Sequence, residues 1–201
     1  PYTHMFCRFL GATILFWIAS IWAPRERIDC KDWGKMTLAS LTGIFFNQGL
    51  FAIGMSMTSP VNQSLVATLG PIVTMLLAAV VLKEPITRLK GIGVLIGASG
   101  ALLLISTNGS STVGSTLGDL ICATATISYA IYLTSFKTLI QKYHPVTLMK
   151  WLFVISLLGS APMGVRDMIR TEWSSFDATF YGQLAFVVVG ATFVAYLLLL
   201  F

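Results

Sequence analysis

SPVNQSLVATLGPIVTMLLAAVVLKEPITRLKGIGVLIGASGALLLI, residues 59–105, holds two long apolar runs parted by a turn that carries Lys83, Glu84, Arg88 and Lys90. An α-helix needs about 20 mainly apolar residues to cross the hydrocarbon core of a bilayer. Both runs come close to or exceed that length. In lipid only helices and closed barrels satisfy their own backbone, and a barrel strand needs only about 9–11 residues with alternating polarity. These runs are longer and continuous. The stretch therefore reads as two membrane helices joined by a basic turn.

Working outward, seven such segments can be drawn: 4–23, 36–58, 61–82, 89–106, 117–139, 146–165 and 180–201. Composition agrees. The chain is 56% hydrophobic and 10% charged with a mean hydropathy of +0.81, whereas a soluble domain carries roughly a quarter charged residues. Segment 4–23 lacks the basic start and cleavage site of a signal peptide. The expected fold class is an all-α membrane protein, a polytopic helical bundle in the lipid bilayer with seven transmembrane helices.

The net charge of +5 does not point to nucleic acid, because the charges do not form one patch. Ten of the 13 Lys and Arg lie in or beside alternate loops: Arg25, Arg27, Lys31 and Lys35, then Lys83, Arg88 and Lys90, then Lys137, Lys142 and Lys150. The opposite loops hold only Arg166 and Arg170. Cytoplasmic loops carry the Lys/Arg excess, which places loops 24–35, 83–90 and 137–145 in the cytoplasm and residue 1 on the outer side. Cys7, Cys30 and Cys122 lie in helices or a cytoplasmic loop, so no disulfide is implied.

The chain also contains a repeat. PYTHMFCRFLGATIL (1–15) and PVTLMKWLFVISLLG (145–159) share P-x-T-x-M and both run into an apolar helix. Gly43 in LASLTGIFF and Gly190 in AFVVVGATF occupy like places in the following segments. The first copy starts outside and the second inside, which requires an odd number of helices per unit. Counting from one copy to the other gives five. The expected architecture is a ten-helix (5+5) inverted repeat: 1–106 holds helices two to five, 107–116 (TNGSSTVGST) is an uncharged connector, and 117–201 holds helices six to eight. One helix before and two after would complete it. Such repeats are a transporter architecture, with sites near the bilayer midplane.

At 59–105 the small and polar entry, the mid-helix Pro71, the terminal Glu84 and the glycine-rich helix that follows resemble the drug/metabolite transporter (DMT) superfamily, and within it the EamA-like domain permeases. Arg8-Phe9 and GDLICATATISYAIY (118–132) match as well. The resemblance implies alternating access around a central cavity lined partly by segments 36–58, 61–82, 117–139 and 180–201. It also implies export of small metabolites such as amino acids across the bacterial cytoplasmic membrane. Nucleotide sugars or drugs are the alternative cargo. A proton or another coupling ion, and a homodimer, stay open.

Candidate cavity residues follow from polar or small side chains inside spans. Asn47 and Gln48 sit mid-span in 36–58, where an amide needs a partner. Gly43, Asn47, Leu50 and Gly54 share a face of little bulk. The competing reading is an interhelical hydrogen bond. In 61–82, Gln63, Ala67, Gly70, Thr74 and Ala78 form a similar stripe beside Pro71, which cannot donate to the carbonyl of Ala67. Asn62 and Ser64 fall at the outer mouth. In 117–139, Thr124, Ser128 and Tyr132 share a side, with Tyr129 adjacent. Arg8, with His4 one turn above, reads as an outer-side charge that snorkels or pairs with Asp119, or that attracts a carboxylate or phosphate. Gly93, Gly97 and Gly100 read as a helix-packing stripe or a dimer contact. Glu84 reads as an ion pair or cap. A membrane enzyme would need paired aspartates, H-E-x-x-H, or Ser with His inside the spans. None is present, and no cofactor or metal motif is evident.

Overall fold

The computed structural model describes residues 2–83, 85, 87–107, 116–171 and 176–200, and all regular structure among them is helical. Helix α1 is Tyr2–Ala19. A 3-10 turn, Cys30–Asp32, leads into α2 (33–55), which consists of Trp33–Ser40, a π turn at Leu41–Phe46, and Asn47–Met55. Then come α3 (Pro60–Val81), α4 (Arg88–Thr107), α5 (Thr116–Ser135), a short α6 (Lys137–Lys142) and α7 (Pro145–Arg170). Last is α8 (178–200), made of Ala178–Val188, a second π turn at Val189–Val194, and Ala195–Leu200. Five helices, α2, α3, α5, α7 and α8, are long and apolar enough to cross a membrane, and α1 is apolar but shorter over Thr3–Ala19. Glu84 and most of the 107–116 connector lie outside the described residues.

Local chemistry sets several boundaries. Proline fits the first turn of a helix because its missing N–H would have no partner there. Accordingly α3 starts at Pro60 after Ser59, whose hydroxyl accepts from the Asn62 N–H at 3.2 Å. Likewise α7 starts at Pro145 after His144, whose Nδ1 accepts from the Val146 N–H at 3.4 Å. At the head of α8, Asp177 accepts from the Ala178 N–H at 2.7 Å and from the Thr179 hydroxyl at 2.9 Å. The Thr179 hydroxyl and then the backbone hold this carboxyl below its ordinary range, so a negative charge faces the positive end of the helix dipole. The 146–165 segment extends to Arg170 through Pro162, and 117–139 breaks at Phe136, between α5 and α6.

The chain divides into two compact units, 1–45 with 137–201, and 46–136. The divisions fall inside α2, after Phe45, and between α5 and α6. Each unit thus contains helices from both sequence halves.

In the first unit α1 lies along α7. Phe16 stacks on Phe153 at 5.4 Å, Phe193 lies 4.9 Å from Phe16, and Tyr196 meets Phe153 edge-on at 5.5 Å. Such pairs add about 0.5–1.5 kcal/mol each beyond their area. The Ser40 hydroxyl donates to the Leu152 carbonyl at 2.6 Å and lies 2.7 Å from that of Ser156, joining α2 to α7. Trp17, Trp33 and Trp151 gather where α1 ends and α2 begins, with the Lys150 ammonium 4.8 Å from the Trp17 ring.

In the second unit the end of α2 and α3 both pack on α5. Gly54 and Gly118 permit the close crossing of α2 and α5. A Cβ at Gly54 would strike the Cys122 sulfur and the Gly118 carbonyl, and one at Gly118 would lie 2.9 Å from the Met57 Cβ. The Gly93, Gly97 and Gly100 stripe behaves differently. A Cβ at any of the three would meet nothing within 4 Å, and all three are exposed. Among the described residues, then, this stripe does not serve close packing within the chain, because no other element approaches it.

Gly54→Leu is expected to overpack the α2–α5 crossing, at about 1–3 kcal/mol, and to lower the melting temperature of the solubilised protein. Gly97→Leu is expected to leave it unchanged. A thermal-stability assay on the two variants checks both outcomes.

Candidate functional site

The two mid-span amides of α2 follow its π turn directly. Asn47 Nδ2 donates to the Ala125 carbonyl of α5 at 2.9 Å. The amide is therefore engaged in the interhelical bond that was the competing reading, and the face running down to Gly54 is a packed crossing. Gln48 is buried, at 7% exposure.

On α5, Tyr132 is fully buried, its ring 5.8 Å from that of the half-buried Tyr129, with Ser128 also half-buried. Thr124 is exposed and donates to the Leu120 carbonyl of its own helix. On α3 the stripe divides. Gln63 is buried, and its Nε2 has no acceptor among the described residues. A Cβ at Gly70 would lie 3.5 Å from the Thr126 methyl, and Thr74 is half-buried, while Ala67 and Pro71 are exposed. In the second unit Gln48, Gln63 and Tyr132 are thus buried and Asn47 and Tyr129 half-buried, whereas Ala67 and Pro71 are exposed.

The two candidate outer charges have other partners than each other. Asp119, in the first turn of α5, accepts from the Thr58 hydroxyl and from the Asn62 amide, the latter at 3.1 Å. Arg8 Nε donates to the Thr192 hydroxyl at 2.6 Å. Thr192 is fully buried in the π turn of α8 and donates in turn to the Val187 carbonyl at 2.8 Å. Neither Arg8 nor Asp119 forms an ion pair among the described residues.

A further cluster escaped the sequence reading. Lys142 contacts Asp29 and Asp32, both at 2.5 Å. The Tyr143 hydroxyl donates to Asp32 at 2.8 Å and accepts from the Asp29 N–H at 3.1 Å, and Glu26 accepts from the His144 N–H at 2.8 Å. The loop after α1 is thereby tied to the segment before α7. The one sequence signal was three acidic residues, Glu26, Asp29 and Asp32, among the basic ones of the 24–35 loop. Asp29 first, then Asp32, hold the Lys142 ammonium well above the ordinary lysine range. A raised group stabilises below its unfolded pKa of about 10.4 and loses that contribution only as pH rises through the folded value. The tie therefore persists through neutral pH.

Long apolar helices, basic loops and polar side chains buried mid-helix define an integral, multi-pass membrane protein. The chain belongs to the EamA-like transporter family, whose match covers residues 1–106; this places it in the DMT superfamily. It is 30% identical over 192 residues to an uncharacterized transporter of Archaeoglobus fulgidus, covering 94% of this chain and 66% of that protein. It is 29% identical over 161 residues to the uncharacterized transporter YyaM of Bacillus subtilis, covering 78% of this chain and 52% of the relative. An uncharacterized transporter of Synechocystis, sll0355, is 24% identical over 203 residues, which covers 92% of this chain and 60% of that protein. The chain thus spans between about half and two thirds of the length of these relatives. No solved structure matches it.

Lys142→Met is expected to release the 25–32 loop and speed tryptic cleavage at Arg25, Arg27 or Lys31 several-fold. In the parent protein the protection is expected to hold from pH 6 to pH 9. Limited proteolysis of sealed vesicles of known orientation reads the rate, and also which membrane face carries the loop.

Proposed function

We infer that the full protein is a secondary transporter that moves a small polar metabolite, such as an amino acid or a related compound, outward across the bacterial cytoplasmic membrane by alternating access. The observation that carries the reading is the family membership joined to amides and tyrosines buried or half-buried in the spans of the second unit: Asn47, Gln48, Tyr129 and Tyr132 within α2 and α5, and Gln63 in the first turn of α3. Polar side chains inside spans mark a substrate path more often than a lipid-facing surface does. Ala67, Pro71, Thr74 and Ser128 complete the proposed pathway. Two π turns support a paired architecture, because they include Gly43 and Gly190, the two positions matched in the sequence repeat. π turns within helices occur often at functional sites. The proposed whole is a ten-helix inverted repeat, with the basic loops cytoplasmic and residue 1 outside. Coupling to a proton or another ion, and a dimer contact through the glycine stripe of α4, belong to the same proposal.

A proteoliposome panel of labelled amino acids and nucleotide sugars, with and without a pH gradient, tests this on the full-length protein. Uptake or release of at least one metabolite is expected, and movement of none would sink the reading. Asn47→Leu removes the bond to Ala125 and is expected to abolish transport at normal expression. Unchanged transport would take Asn47 out of the pathway.

A further inference from the structure

Arg8 sits in the helical layer with no ion-pair partner among the described residues, and its side chain runs the wrong way for a headgroup anchor. Gly11 meets the Val188 side chain and the Phe16 ring lies 4.9 Å from Phe193, so α1 and α8 run side by side in the same direction, residues 177 positions apart lying level. In that register Arg8 is level with Ala185, yet its Nε reaches Thr192. Seven residues at 1.5 Å each place Thr192 about 10 Å further along. Side chains on a helix ordinarily lean back toward its start, and an arginine near a helix end snorkels to the nearer headgroups. Arg8 instead extends inward, to a hydroxyl roughly 10 Å from the far end of the Ala178–Leu199 span.

The donors are divided. A guanidinium carries five N–H groups in one plane. Nε is committed to Thr192, whose own proton goes to the Val187 carbonyl, so the threonine oxygen is fixed as an acceptor. The four Nη hydrogens have no acceptor among the described residues, and no carboxylate lies within ion-pair distance. The hydroxyl that orients them is placed by the π turn, in which the Ala195 N–H reaches back to the Gly190 carbonyl. The next turn of α8 adds Tyr196, buried at 7% exposure. His4 lies a turn back along α1 and is exposed. One guanidinium, with the exposed His4 as the other basic side chain of α1, suits a single negative charge. A phosphate monoester carries −1.5 to −2 at neutral pH, on the scale of about two charges, and would be left under-compensated.

We propose that Arg8, oriented by Thr192, is the subsite that receives the carboxylate of the transported metabolite. The proposal rests on the transporter reading and narrows its cargo to carboxylate-bearing compounds. The forked Nη pair matches the two oxygens of a carboxylate.

The test uses the full-length protein in nanodiscs of neutral phosphatidylcholine, titrated with L-amino acids and 2-oxo acids, each beside its primary amide. Melting followed by tryptophan fluorescence is the readout. At least one carboxylate is expected to raise the melting temperature where its amide does not. Arg8→Gln should lose the effect. Thr192→Val and Arg8→Lys should weaken apparent affinity roughly ten- to a hundredfold, the scale of a charge-assisted hydrogen bond. No shift with any carboxylate, an equal shift with the amide, or undiminished affinity in Arg8→Lys overturns the proposal, whether or not Arg8→Gln folds. Adding phosphatidylglycerol distinguishes a lipid source: if that lipid abolishes the carboxylate effect, a headgroup phosphate is the occupant and the proposal fails. Transport of uncharged metabolites without carboxylate binding would remove this site and leave the transporter reading standing.

Discussion

Hydroxyl and amide groups inside a bilayer must find partners on the chain itself, and three such bonds organise the helices around them. Ser40 reaches the Leu152 carbonyl, Asn47 reaches the Ala125 carbonyl, and Thr192 reaches the Val187 carbonyl while accepting from Arg8. Each sits in or beside a π turn. The first two leave α2 from either side of its π turn, Ser40 toward α7 and Asn47 toward α5. Measured bonds of this kind within membranes average only about 0.6 kcal/mol, because the unfolded chain in lipid finds partners too. Their weight lies in register. A polar side chain of one helix bonded to one group of another, as Ser40 is to Leu152, fixes which turn faces which.

Glycine supplies the other half of that geometry. At Gly54 and Gly118 the missing side chains let α2 and α5 approach closely, with the Cys122 sulfur filling the space that a Cβ would need. At Gly11 and Gly164 the absent side chain is replaced by Val188 and Phe6. The same residue type on α4 meets nothing. A small-residue stripe states that a backbone is accessible. What approaches it is decided elsewhere in the chain.

That distinction marks how far the sequence could be read. Five of the seven expected spans were legible because hydropathy is a local property, and α3 and α7 start within one residue of the expected 61 and 146. The match of Gly43 with Gly190 was visible too, though not that both positions fall in π turns, since one extra residue in a helical turn leaves no compositional trace. Partners were hidden. Asn47 and Ala125 are 78 residues apart, and nothing near either names the other, so Asn47 with Gly54 read as a cavity wall as readily as a packed crossing. Arg8 looked like an anchor because sequence gives the depth of its Cα and not the direction of a long side chain. The Asp29, Asp32 and Lys142 cluster was lost for the same reason: charge counting assigns a loop to a face but cannot pair it with another loop.

The two units of packing cut across the two halves of the chain, and this has a bearing on how the protein is made. A ribosome delivers α1 through α4 to the membrane before α5, α7 or α8 exists. At that stage Ser40 lacks Leu152, Asn47 lacks Ala125, and Arg8 lacks Thr192. Neither unit can close on the first half alone, so the early helices must wait in lipid or beside the insertion machinery with their polar groups provisionally satisfied. Assembly is therefore a late event, governed by the arrival of the second half. Splitting the gene at the connector would yield two fragments that each hold parts of both units, and neither fragment holds all of one.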